Sequence, residues 1–119
     1  MIVAIIGSRV LSGVQIEKYL PIGTTETVTG GAIGVDKEAE NYAQRKNIKL
    51  TVFHPDYARY KKGAPLKRNV QIFEYADEII AFWDGLSKGT AFVISESKKR
   101  NKKITVYTFN DGKAPYDHN

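Results

Sequence analysis

The stretch TVTGGAIGVDKEAE, residues 27–40, decides how this chain is read. It begins in a short β-branched run from Glu26 and ends in a helical pattern. There Val35, Ala39, Tyr42 and Ala43 share one face of a 3.6-residue period, with Lys37, Glu38, Glu40, Asn41 and Arg45 on the other. Between strand and helix stand Gly30, Gly31 and Gly34. A glycine inside regular structure costs roughly 0.5–1 kcal/mol relative to alanine, so this density signals a tight turn or a backbone that something approaches closely.

The same strand-loop-helix unit recurs along the chain. Apolar β-branched runs predict strands over residues 2–6, 26–29, 49–53, 78–82 and 104–109, and amphipathic patterns predict helices over 12–20, 35–46, 66–75 and 89–100. Strands that alternate with helices imply a parallel sheet covered on both faces. The expected fold is therefore a Rossmann-like three-layer α/β/α domain with five strands in the order 3-2-1-4-5.

Composition sets the outer limits. A chain of 119 residues fits one domain, here 1–110, followed by a tail over 111–119 that holds turn residues and no periodicity. There is no cysteine, which excludes disulfides, thiolate metal sites and a cysteine nucleophile and suits a reducing cytoplasm. The apolar run IVAII, residues 2–6, is far shorter than the roughly 20 residues of a membrane span, so a soluble protein without membrane association is expected. Eighteen Lys and Arg against thirteen acids leave a formal charge of +5, which favours anionic ligands.

In open parallel sheets the ligand crevice lies beyond the carboxyl ends of the strands, where the strand order reverses, here between the first and fourth strands. The loops at that edge are GSR (7–9), GGAIGVD (30–36), HPDYARYKKGAPLKRN (54–69) and WDGLSKGT (83–90). Glycines at a helix entry let N–H groups point at an anion that the helix dipole also favours, and Asp36 sits as a first-turn acid. Gly7, Ser8 and Arg9 add a hydroxyl and a guanidinium suited to phosphate. Ser87, Gly89 and Thr90 form a third donor-rich helix entry, or a simple cap. The spacing fits neither a Walker A loop nor G-x-G-x-x-G, which argues against an NTPase or an ordinary NAD enzyme. No cofactor and no metal centre are expected.

Together, IIGSR (5–9), VTGGAIGVD (28–36), LKRN (66–69) and DGLSKGT (84–90) resemble the SLOG superfamily, which includes the DNA-processing protein DprA (Smf) and the LOG cytokinin-activating phosphoribohydrolases. The likeness is greatest to small stand-alone members. It implies a pocket for a nucleotide or nucleotide-derived ligand, built from Gly7, Ser8, Arg9, Gly30, Gly31, Gly34, Asp36, Arg68, Asn69, Ser87, Gly89 and Thr90, in a sensor or accessory domain. LOG enzymes carry PGGxGTxxE, whose glutamate serves glycosidic cleavage, whereas the third residue after Thr90 here is Val93. An N-glycosidic hydrolase or transferase would need Asp84 or Asp36 to supply the acid instead, with Asp84, just past the fourth strand, the better-placed catalytic substitute. DprA-like proteins bind single-stranded DNA, and Tyr57 and Tyr60 interleaved with Arg59, Lys61, Lys62, Lys67 and Arg68 make a mixture that stacks bases and neutralises phosphates. Single-stranded DNA and a second copy of the chain are accordingly further candidate partners.

Three other features carry less. His54 follows the third strand without a nucleophile or paired metal ligands beside it. The basic run 98–103 fits a helix C-terminus, where the dipole favours cations. Of Phe82 and Trp83, one is expected inside and one available for stacking.

Overall fold

The computed structural model describes residues 1–8, 10–11, 13–31 and 34–109; the expected roles of Arg9 and of the tail over 111–119 lie outside the described residues. Strand β1 (Ile2–Gly7) lies at the centre of a five-stranded, all-parallel sheet. β2 (Glu26–Thr29) and β3 (Lys49–Val52) extend it on one side, β4 (Glu78–Trp83) and β5 (Lys103–Thr108) on the other. The order is thus β3-β2-β1-β4-β5, the Rossmann-like arrangement that the periodicity implies. In register, Ala4 stands opposite Val28 of β2 and Ile79 of β4.

Side chains of a strand alternate between the faces of its sheet, so β1 feeds two cores. Val3 and Ile5 pack with Val35, Ala39 and Tyr42 of α1 (Val35–Lys46). Ala4 and Ile6 pack with Ile72 and Phe73 of α3 (Ala64–Tyr75) and with Val93 of α4 (Lys88–Lys99). Burial on both faces explains why β1 reads as an unbroken apolar run. α1 enters through Gly34 at φ +77°, a conformation that favours glycine, and ends at Asn47 in the left-handed region. α3 begins with a proline in its first turn, where a missing N–H costs no helical hydrogen bond. A short helix α2 (Tyr57–Tyr60), capped by the Asp56 side chain, precedes α3.

One predicted element is replaced. Instead of a helix over 12–20, the described residues form only a 3-10 turn, Ile16–Lys18. Leu11, Val14 and Ile16 are all buried, but at spacings of three and two rather than along a helical stripe, and Gly13 at φ +69° interrupts helical geometry. The apolar residues there mark core contact and not helix.

At the amino end of the sheet the buried Glu26 carboxylate accepts the Thr51 and Tyr75 hydroxyls, both at 2.6 Å, and so ties the end of α3 to β2 and β3. Burial raises its pKa, but those two bonds together with Lys49 outweigh it and hold the group below its ordinary value. With that end anchored, the opposite edge is left to the loops.

Candidate functional site

At the carboxyl edge, where the strand order reverses between β1 and β4, the loops enclose a cavity of about 670 Å³. Of the residues expected at a site and described, Gly7, Ser8, Gly30, Gly31, Asp36, Arg68, Asn69, Ser87, Gly89 and Thr90 line it. Asp84 is not among the lining residues but bonds Ser8, which is, and Gly34 serves as the N-cap of α1.

Asp84 organises the switch point. Its Oδ1 accepts the Ser8 hydroxyl at 3.1 Å and the Leu86 and Ser87 backbone N–H groups at 2.9 and 2.8 Å, while its Oδ2 accepts the Ser87 hydroxyl at 2.9 Å. The Ser8 hydroxyl also accepts the Asp84 N–H at 3.2 Å. Backbone donation, from Ser87 first and then Leu86, lowers the carboxyl from its ordinary 3.8 to about 2. A carboxylate so placed holds two loops together and stays ionised at any physiological pH.

That arrangement has a consequence at α4. Ser87 is the N-cap residue, yet its hydroxyl is directed to Asp84 and caps nothing. The first N–H groups of a helix have no intrahelical acceptor, so the first turn of α4 presents them to the cavity that Gly89 and Thr90 line.

Two buried polar side chains face the same space. Thr90 is 4% exposed and Asn69 is 7% exposed, and both line the cavity. The Asn69 Oδ1 accepts Arg68 Nε at 2.9 Å, which assigns the amide and turns its Nδ2 away. Among the described residues no protein group engages Asn69 Nδ2 or the Thr90 hydroxyl. The unpartnered hydroxyls of Thr27 and Ser97, by contrast, are sealed in the interior.

Arg68 supplies the charge. Besides Asn69, it donates from Nη1 to the Gly30 carbonyl at 2.5 Å, and no described acceptor takes Nη2. Burial lowers its pKa, and Asp36 and Tyr57 nearby work against that shift. The guanidinium therefore remains a cation in the cavity wall.

The described part of the glycine loop lines the cavity and is also tied to its neighbours. The Gly30 N–H donates to the Asp36 carboxylate at 3.0 Å, its carbonyl accepts Arg68, and the Gly31 N–H donates to the Thr29 hydroxyl at 3.4 Å. A Cβ on Gly30 would come within 2.7 Å of Arg68 Cζ, so glycine there admits the guanidinium. The His54 imidazole rests against Gly31 in the same way. Asp36 already places a negative charge at the head of α1, which makes α4 the better anion site.

Apolar lining was harder to foresee. Val10, Pro55, Tyr57, Pro65 and Leu66 line the cavity with the buried Val93. Phe82 is fully buried, whereas Trp83 is partly exposed and donates to the Ser87 carbonyl at 3.0 Å. Among the described residues no cluster of His, Cys, Asp and Glu could hold a metal ion, and no helix is long and apolar enough to cross a membrane.

The fold and cavity define a Rossmann-like α/β domain with a ligand-sized crevice at its topological switch point. Comparison with protein-family models, curated proteins and solved structures finds no match to this chain.

Proposed function

We propose that this chain binds a nucleotide or nucleotide-derived molecule, its phosphate seated against the first turn of α4 and Arg68, as a sensor or accessory domain of SLOG type in the cytoplasm. The observation that carries this reading is the pair of nine-tenths-buried polar residues, Thr90 and Asn69, whose hydroxyl and Nδ2 have no partner among the described residues and which line a cavity with a guanidinium in its wall. Buried polar groups are ordinarily hydrogen-bonded, and an anion with several acceptor oxygens satisfies both at once. The volume of about 670 Å³ suits a mononucleotide.

Binding without turnover is favoured by the acids. Asp36 accepts the Gly30 N–H, and Asp84, outside the cavity lining, is held ionised by the Ser87 and Leu86 N–H groups, so neither is favoured as a proton donor to a leaving base. The test is calorimetry of the full chain with AMP, GMP, CMP and UMP. Arg68→Ala should weaken binding by roughly tenfold or more, from the 1.5–3 kcal/mol of a hydrogen bond to a charged group. No binding by the parent, or equal binding by the variant, overturns the reading.

A second reading has its own observation. Arg59 on α2, Lys61 and Lys62 in the 3-10 turn that follows it, and Lys67 on α3 lie together in the segment between β3 and β4, and none of them forms an ion pair among the described residues. Unpaired cations beside an aromatic suit single-stranded nucleic acid.

A further inference from the structure

The cavity is divided by chemistry. Its floor holds Arg68, Asn69, Thr90 and the open end of α4, whereas its mouth is formed by Val10, Pro55, Tyr57, Pro65 and Leu66. Val10 is 73%, Tyr57 60% and Leu66 45% exposed, an unusual grouping of apolar surface around one opening. Tyr57 and Tyr60 sit one turn apart on α2 but differ in their surroundings. The Tyr60 ring has the Arg59 guanidinium at 5.3 Å and the Lys67 ammonium at 5.6 Å, while among the described residues no cation or aromatic ring stacks on the Tyr57 ring, although Arg68 is near enough to interact with it electrostatically.

We propose that Tyr57 is the stacking platform for the base of the bound nucleotide and that the mouth recognises that base by its face and not by its edge, so that the site separates purines from pyrimidines but not adenine from guanine. The inference rests on the reading of the floor as a phosphate site. Discrimination between adenine and guanine requires donors and acceptors matched to the base edge. Among the described mouth residues, Val10, Pro55, Pro65 and Leu66 have none in their side chains, and the Tyr57 hydroxyl is the single exception. Stacking, by contrast, uses a π-face that every base has, and it grows with ring area. Continuity with the cationic floor favours a planar group joined to an anion over a purely apolar occupant.

Calorimetry of the full chain with AMP, GMP, CMP, UMP and ribose 5-phosphate reads this directly. AMP and GMP should bind within about threefold of each other, more tightly than CMP and UMP, and roughly tenfold or more above ribose 5-phosphate. Tyr57→Phe should keep the AMP to ribose 5-phosphate ratio, and Tyr57→Ala should bring it close to one. The base-face assignment alone is overturned if ribose 5-phosphate binds and AMP differs from GMP by more than tenfold, or if the ratio survives in Tyr57→Ala. Failure of ribose 5-phosphate and all four nucleotides to bind overturns the phosphate reading beneath it. Concentration-dependent self-association that Tyr57→Ala abolishes, with the ratio near one in the parent, assigns the mouth to a second copy of the chain and overturns the proposal.

Discussion

Ser8 and Asp84, 76 residues apart, are joined by two reciprocal hydrogen bonds, the Ser8 hydroxyl donating to the carboxylate and accepting the Asp84 N–H. This pair fastens the loop after β1 to the loop after β4 at the point where the sheet reverses its order. Its folded pKa of about 2 lies below the ordinary 3.8, so the stability it contributes is complete above pH 4 and is lost as pH falls toward 2. The stability difference between the parent and Asp84→Asn should therefore shrink across that window in urea titrations. A difference that stays constant from pH 5 to pH 2 would refute this role. The same placement predicts that AMP incubated with the parent releases no adenine on chromatography. Release abolished by Asp84→Asn would instead make Asp84 a catalytic residue.

Gly30 and Arg68 should behave as one unit. Gly30→Ala places a Cβ against the guanidinium and displaces it, so AMP affinity should fall by roughly tenfold, as for Arg68→Ala. Because both changes remove the same interaction, the double variant should bind like either single one. Additive losses in calorimetry would separate the two residues.

Thr90→Val keeps the shape of the side chain and removes the unpartnered hydroxyl. AMP affinity should drop about tenfold, while the free protein should keep its Tm or gain on the order of 0.5 kcal/mol, since a poorly satisfied buried polar atom is removed. A marked loss of Tm in the absence of AMP would mean that the hydroxyl serves the fold.

Replacing Lys61, Lys62 and Lys67 by Gln separates the two binding readings. For a mononucleotide site AMP affinity should change little, because none of the three lines the cavity. For a strand-binding surface the salt dependence of oligonucleotide affinity should flatten by about 2 in log-log slope, given roughly 0.7 per phosphate contact on single strands. Gel shifts of the parent at low and moderate salt identify which case holds.

Much of the architecture was legible because it is written in local pattern. Unbroken apolar runs at 2–6 and 79–83 foretold the central strands, and alternation with amphipathic stretches foretold a parallel sheet covered on both faces. The same logic failed over 12–20, where Leu11, Val14 and Ile16 are buried along an irregular crossover that forms only a 3-10 turn among the described residues. Burial is a tertiary property that periodicity only samples.

For the site, the sequence by itself determined which loops lie at the carboxyl edge, since in a parallel sheet every strand-to-helix connection falls on that edge. Only the tertiary structure decided which groups in those loops remain available. Gly30 is engaged by Asp36 six residues away and by Arg68 thirty-eight away, Ser87 is turned from its helix by Asp84, and the Thr90 hydroxyl and Asn69 Nδ2 are left without partners among the described residues. Whether a donor is open or satisfied depends on contacts between residues distant in sequence, and each such contact is short-ranged and directional, so no local pattern of residue types can encode it.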